Sequence, residues 1–118
     1  MTQSTPDTSP AKPELPKKLN GSITEQFLES NRQRIPVTIK HTLYKGDRIN
    51  LYSGGPNADA VVTTALITQP TAETDIQIDA IKLRKLSPGT HAMYYDITPQ
   101  SGTPVQQSTW LLYKWLVD

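Results

Sequence analysis

Alternation of hydrophobic and polar residues predicts extended strands along most of the chain. The segment 86–90 contains Pro88-Gly89, a pair typical of a tight turn, and a regular pattern follows it. From His91 to Ile97 every second residue falls on one face, which is the period of a β-strand. We expect this strand, which carries Tyr95 toward the core, to cross the centre of an all-β sandwich.

Further segments repeat the pattern and are separated by turn residues such as those at 54–57 and 69–73. The predicted strands cover 35–42, 48–53, 60–68, 75–79 and 105–117. In the last of these, the alternation points Leu111, Tyr113, Trp115 and Val117 inward and Trp110, Leu112 and Leu116 outward. Residues 80–85 are interpreted as a connector between sheets. Short strands at regular intervals, without a convincing amphipathic helix, predict an antiparallel sandwich.

The N-terminal part of the chain lacks this periodicity. Residues 1–18 are rich in proline, serine and threonine, and they hold too few apolar side chains to offset the entropy of ordering them. We therefore expect a disordered tail over 1–18 and one domain over 19–118. Within that domain, 19–34 fits either a short helix or a ragged strand. We expect an irregular lead-in in which Phe27 or Leu28 closes one end of the core.

Composition excludes several classes of function. The chain has 118 residues, which suits a single domain, and a formal net charge of +1, which gives no footprint for nucleic acid or an anionic membrane. The absence of cysteine removes disulfides, thiolate catalysis and cysteine-bound metal centres. No apolar run reaches the ~18 residues of a membrane span, and the N-terminus lacks the apolar region of a signal peptide. The location stays open between secretion or the cell surface, by a route without such a peptide, and the cytoplasm.

Two blocks of sequence carry a family resemblance. The first joins 35–39 to the Gly-Asp strand at 45–54, and the second joins 86–90 to a strand bearing Met93, Tyr95 and Ile97. Together they resemble the immunoglobulin-like repeats of Gram-negative bacterial surface and secreted proteins, over roughly 20–117. The resemblance implies an immunoglobulin-like antiparallel β-sandwich of about seven strands. It also implies binding, spacing or adhesion, and it supplies no catalytic residues.

The two histidines are candidates for acid–base or metal chemistry. His41 and His91 each fall at an inward or boundary position of a predicted strand, with Asp47 or Asp96 as an acidic neighbour. The alternative is that each is a boundary histidine with one nitrogen satisfied by the fold. Two histidines without fixed spacing are weak evidence for a metal, so we expect no metal and no cofactor.

The charged residues give no stronger signal for catalysis. Asp75 and Asp79 share a strand face but lie ~13 Å apart, too far for the carboxylate pair of a glycosidase. Asp47 is expected to close its own turn with its side chain. The basic run of Lys82, Arg84 and Lys85 is interpreted as a solvated connector.

Aromatic residues form the most informative set. The core is too small to hold all of them, and the strand pattern points Tyr52, Tyr94 and Trp110 outward with Leu112. An exposed group of this kind serves protein interfaces or sugar stacking. Alternatively, residues 19–34 fold over it.

These observations favour a non-enzymatic recognition or assembly module. We expect it to bind a protein partner, or a second copy of itself, through the outward aromatic face or through an edge strand. One alternative is a carbohydrate-binding module that stacks sugars on Trp110, Tyr94 and Tyr52. Another is a small secreted toxin or effector-like protein that acts on membranes.

Overall fold

The computed structural model describes residues 10–55, 57–100 and 105–116, which are mostly β-strand. The strands are β1 (Ser22–Thr24), β2 (Arg34–Leu43), β3 (Arg48–Ser53), β4 (Val61–Leu66), β5 (Thr71–Asp79), β6 (Gly89–Thr98), β7 (Gln106–Gln107) and β8 (Leu111–Leu116). A short 3-10 helix (Lys17–Leu19) precedes β1, helix α1 (Glu25–Ser30) follows it, and helix α2 (Ala80–Leu83) joins β5 to β6.

The strands form a larger and a smaller sheet. The larger sheet has the order β1-β8-β6-β3-β4, with β7 also paired to β6, and the smaller sheet pairs β2 with β5. All of these pairs are antiparallel except β1–β8, where Ile23 lies opposite Trp115 in parallel register. The prediction of a mostly β, sandwich-like chain is therefore confirmed. The expectation of a wholly antiparallel arrangement is wrong, because β1 makes the larger sheet mixed.

One hydrophobic core lies between the sheets, and strand periodicity explains it. Alternate residues of β2 and β5 are buried on one side, and alternate residues of β3, β6 and β8 are buried on the other. The buried set includes Ile35, Val37, Ile39, Ile78, Ile49, Leu51, Met93, Tyr95, Tyr113 and Trp115. The predicted inward faces of the strands at 48–53 and 91–97 agree with this core, apart from His91, which is half-buried.

The segment 19–34 is more regular than the sequence predicts. Ile23 is fully buried in β1, and the Thr24 side chain caps α1 by accepting a hydrogen bond from the Phe27 N–H at 3.1 Å. Phe27 and Leu28 are both buried in the core, as expected for residues that close one end of it. The irregular lead-in was a wrong expectation because β1 is held by pairing with the distant strand β8, which local sequence does not reveal.

The expected tail spans 1–18, of which residues 1–9 lie outside the described part. Residues 10–18 contact the sandwich at several points, including a hydrogen bond from the Thr109 N–H to the Pro10 carbonyl at 3.3 Å. The backbone of Glu14 exchanges two hydrogen bonds with Thr38 of β2, at 2.9 and 2.8 Å. The Tyr95 hydroxyl donates to the Ala11 carbonyl at 2.6 Å. This segment therefore covers part of the outer edge of β2.

The predicted last strand is divided in the structure. β7 and β8 both pair with β6, but the pairs Asp96–Gln107 and Met93–Leu111 differ in register by one residue. Buried Ser108 lies at the break, where its Oγ accepts from the Tyr95 N–H at 3.0 Å. The arrangement has the character of a β-bulge, in which one strand carries an extra residue. Residues 101–104 and Val117, which the sequence analysis also addressed, lie outside the described residues.

Candidate functional site

Three aromatic rings stack across neighbouring strands on the side of the larger sheet that faces away from the core. Tyr52 of β3 lies opposite Tyr94 of β6, with ring centroids 4.8 Å apart and ring planes inclined by 19°. Trp110, just before β8, lies on the other side of Tyr94 with centroids 5.0 Å apart and an angle of 5°. We call these three residues the aromatic row. Because the rings face one another, both faces of Tyr94 are occupied.

A chain of hydrogen bonds beside the row fixes Tyr52. Asp96 Oδ2 accepts from the Tyr52 hydroxyl at 2.8 Å, and Asp96 Oδ1 accepts from Asn50 Nδ2 at 2.9 Å. Thr64 Oγ1 in turn donates to Asn50 Oδ1 at 3.0 Å. The chain runs across three strands, so it ties the position of the Tyr52 ring to the register of β4, β3 and β6.

The same surroundings keep the two tyrosines of the row uncharged. Burial, followed by the hydrogen bond to Asp96 and its negative charge, raises the pKa of Tyr52 to about 12. Burial and the charges of Asp96 and Asp59 raise the pKa of Tyr94 as well. Phenols with the ordinary pKa of 10.0 are already neutral at physiological pH, and the raised pKa values keep both tyrosines neutral to a higher pH.

Exposed aliphatic side chains extend this surface in both directions. Leu112 is 68% exposed and Trp110 is 47% exposed. Leu116 lies farther along β8, while Val62 and Leu66 lie on β4 at the far side of the row, and all three are exposed. We call the surface formed by the aromatic row and these aliphatic residues the outer face. It is a largely apolar surface with charged side chains among its members, since Lys114 lies between Leu112 and Leu116 on β8 and Asp96 lies beside the row.

The segment 19–34 does not cover the outer face. β1 lies beside β8 at one end of the larger sheet, and Phe27 and Leu28 of α1 enter the core. The sequence left two alternatives open, an exposed aromatic group or one covered by residues 19–34. The structure shows that residues 19–34 do not cover it. It brings Tyr52, Tyr94 and Trp110 into direct contact and places Leu112 on the same surface.

Among the described residues, neither histidine forms a hydrogen bond or ion pair with its candidate acid. His91 Nε2 donates to the Ser87 carbonyl at 2.6 Å, whereas Asp96 is engaged on the outer face by Tyr52 and Asn50. His41 lines a cleft of about 920 Å³ that also includes Asp47. There the Asp47 carboxylate accepts from the Tyr44 N–H at 2.8 Å, which confirms that Asp47 closes its turn.

Among the remaining charged candidates, Asp75, Asp79 and Arg84 are engaged by neighbouring residues. Asp75 accepts from the Thr38 hydroxyl at 2.8 Å, and Asp79 forms an ion pair with Arg34 at 3.5 Å. Arg84 pairs with Glu25 at 3.0 Å. Within residues 10–55, 57–100 and 105–116, no group of three metal-ligating side chains occurs. No helix in that part of the chain is long and apolar enough to cross a membrane.

Sequence reasoning missed the residues that shape the site around its aromatic members. Asn50 and Asp96 orient the row, and Val62 and Leu66 widen it. Alternation indicates that each of these residues faces outward on its own strand. Only the pairing register shows that they are neighbours, and local sequence does not determine the register between distant strands.

Comparisons with known proteins give a likeness of fold alone. No protein-family model matches the chain, and no curated protein matches it. The crystal structure of wild type OgpA from Akkermansia muciniphila is similar, with a TM-score of 0.55 and 18% sequence identity. The match covers 70% of this chain and 25% of the OgpA chain, so this chain corresponds to about a quarter of that protein.

Proposed function

We propose that this chain is a non-enzymatic recognition or assembly module with an immunoglobulin-like fold, and that it binds a protein partner through the outer face. The observation that carries the proposal is the stacked aromatic row on the outward side of the larger sheet, with exposed Trp110 at its end and exposed Leu112 beside it. Tryptophan and tyrosine are the residues most enriched among those that dominate binding energy at protein interfaces.

Strand connectivity supports the immunoglobulin-like part of the proposal. In that fold the second and fifth strands belong to one sheet, while the third, sixth and seventh belong to the other. Here β2 pairs with β5, while β3, β6 and β8 lie side by side in the larger sheet. The fourth strand departs from that plan, because β4 pairs with β3 and not with the sheet of β2 and β5, and the short β7 and the parallel strand β1 are additions to it.

The stacking geometry favours a protein partner over a sugar. A sugar ring stacks on an open aromatic face, but the faces of Tyr94 are covered by Tyr52 and Trp110. The row instead presents ring edges beside exposed Leu112, which suits a flat apolar protein surface. The hydrogen-bonded Asp96 and Asn50 hold Tyr52 in one position, so binding requires little further ordering of that ring.

The carbohydrate alternative rests mainly on Trp110, because that ring is exposed whereas Tyr52 and Tyr94 are half-buried. A glycan-array screen with wild-type protein and the Trp110→Ala variant tests it. Sugar binding that disappears in the variant supports this alternative, and the absence of Trp110-dependent binding to any glycan removes it.

Site-specific photo-crosslinking tests the protein-binding proposal directly. A photoreactive phenylalanine derivative replaces Leu112 in the full chain, expressed in the cells that produce it, and the adducts are identified by mass spectrometry. The matched control places the same group at Gln77, an exposed position on the smaller sheet. We expect a discrete protein adduct from position 112 and none from position 77.

The aromatic row supplies the second arm of this experiment. We expect the adduct at position 112 to fall at least about tenfold when Trp110→Ala is added, because loss of an interface tryptophan commonly costs 2 kcal/mol or more. Equal labelling at positions 112 and 77 would contradict the proposal. So would an adduct at position 112 whose yield does not change when Trp110→Ala is added.

A further inference from the structure

Strand β4 has one side of its backbone open. Within residues 10–55, 57–100 and 105–116 it pairs with β3 alone and ends the larger sheet. Ile67, just after β4, directs its N–H and its carbonyl toward Asp47 and Gly46, both at 2.8 Å. Because strand bonding alternates, Thr63 and Ala65 also bond toward β3, and Val62, Thr64 and Leu66 direct their backbone groups outward.

The residues of the strand itself include none of the kinds that usually protect a sheet edge. β4 has the sequence VVTTAL and carries no charge or proline. Among the described residues, the other edges differ: β5 carries Glu73, Asp75 and Asp79, β1 has three residues, and the outer side of β2 is partly covered by Glu14. An antiparallel pair of β5 strands from two copies would place acidic side chains close together, whereas a pair of β4 strands would not.

The order of side chains in β4 matches a second copy of itself. With Thr64 on a two-fold axis, antiparallel pairing places Val62 opposite Leu66 of the other copy and Thr64 opposite Thr64. Val62, Thr64 and Leu66 are also the residues whose backbone groups point outward. The register that matches their side chains therefore also forms the backbone hydrogen bonds between the two copies. We infer that β4 is a self-pairing edge, through which two copies of this chain join their larger sheets into one continuous sheet.

This inference deepens the proposed assembly role and rests on it for its purpose. Val62 and Leu66 belong to the outer face and are 45% and 60% exposed. Pairing would place Val62 of each copy against Leu66 of the other copy. The two outer faces would then form one continuous surface. The partner that the outer face binds would then contact two copies at once.

A lysine side chain occupies part of the open edge. Lys82 of α2 donates to the Val62 carbonyl at 3.1 Å and lies 3.3 Å from Thr63 Oγ1. In the paired state the Val62 carbonyl accepts instead from the Leu66 N–H of the second copy. Lys82 therefore opposes pairing, as lysines at sheet edges commonly do.

Analytical ultracentrifugation of the full chain over a range of concentrations tests the inference. We expect the mass of the wild-type protein to rise from the monomer value of 13.1 kDa toward twice that value as concentration rises.

Three variants extend this test. Thr64→Lys should weaken the dimer at least about tenfold, because it places two like charges together on the axis. Thr64→Val, which also removes the bond to Asn50 but adds no charge, should leave the dimer in place. Lys82→Met should strengthen it by about fivefold.

Cysteine crosslinking tests the register. The natural chain has no cysteine, so Thr64→Cys introduces a single thiol. In the expected register the two Cα atoms at position 64 lie about 5.5 Å apart, within the range that a disulfide spans. Mild oxidation should give a covalent dimer with Thr64→Cys and none with Gln77→Cys.

Three outcomes would overturn the inference, and they differ from failure of the proposed function. The wild type could remain monomeric up to about 1 mM, the dimer could survive Thr64→Lys, or position 64 could crosslink no better than position 77. A dimer lost in Trp110→Ala but retained in Thr64→Lys would place self-association on the outer face and not on β4. The photo-crosslink from Leu112 tests the partner site independently of these results.

Discussion

Ser53 and Tyr113 place two hydroxyl groups inside the core, where the chain has few polar side chains. Ser53 is fully buried, Tyr113 is nearly so, and their oxygens lie 2.5 Å apart. Burial raises the pKa of Tyr113, while its bond to Ser53 acts in the opposite direction. Each hydroxyl therefore satisfies the other, and removal of one leaves a buried polar group without this partner.

A double-mutant cycle at Ser53 and Tyr113 tests whether the hydrogen bond between their hydroxyls stabilises the fold. Ser53→Ala should lower the free energy of unfolding by about 1–3 kcal/mol, because the Tyr113 hydroxyl loses its partner. In a Tyr113→Phe background the same change should cost much less. Urea unfolding of the four proteins measures both values, and equal costs in the two backgrounds would show that the hydroxyl bond does not matter.

Burial is the largest cause of a raised pKa at both Tyr52 and Tyr95, but only Tyr52 has a carboxylate beside it. Burial alone raises the pKa of Tyr95 to about 12, whereas at Tyr52 burial, and after it the hydrogen bond to Asp96 and the charge of Asp96, raise the pKa to about 12. Because both folded values exceed the ordinary 10.0, the stability that each neutral phenol contributes is complete below pH 10. It is lost as the pH rises from about 10 to about 12.

Alkaline titration of tyrosinate absorbance separates the two causes. Asp96→Asn should lower the pKa of Tyr52 toward 10.0, since it removes the negative charge, and should leave the pKa of Tyr95 near 12. Tyr52→Phe and Tyr95→Phe assign the two transitions. An unchanged Tyr52 transition in Asp96→Asn would show that the carboxylate has no electrostatic effect on the row.

At the level of elements, local pattern was sufficient where a strand has strict alternation and clear turn residues. β3 has the bounds that the sequence predicts, because Gly46-Asp47 and Gly54-Gly55 flank it. β1 was missed because its three residues depend on pairing with β8. The break at Ser108 was missed because it depends on bonds to Tyr95.

The turn after β3 offers a test with a matched control. Gly54 has φ of +79°, and a Cβ there would lie 2.5 Å from Leu86 Cδ2. Gly21 has φ of +83°, but a Cβ there would meet nothing within 4 Å. Both alanine variants incur strain from the left-handed backbone, so their difference reports the contact with Leu86.

We expect Gly21→Ala to destabilise the chain by about 1 kcal/mol and Gly54→Ala by about 2–4 kcal/mol. Thermal or urea unfolding of both variants provides the comparison. Equal losses would mean that Leu86 moves aside freely, and the packing of that side chain against the turn would then not restrict position 54.

At the scale of the whole molecule, the sequence indicates which residues point outward but not how they meet. Alternation places Tyr52, Tyr94 and Trp110 on outward positions, and the structure then stacks them through the pairing of β3, β6 and β8. The chemistry of the outer face was therefore predictable. Its continuity was not, because it depends on contacts between distant strands.

Binding through the outer face requires that this face is open in the free chain, and fluorescence quenching by acrylamide measures whether it is. Trp110 is partly exposed and Trp115 is fully buried, so wild-type emission should divide into an accessible and an inaccessible fraction. Trp110→Phe, which leaves the core intact, should remove the accessible fraction. A wild type in which neither tryptophan is quenched would contradict the account, because it would show that the face is covered before any partner arrives.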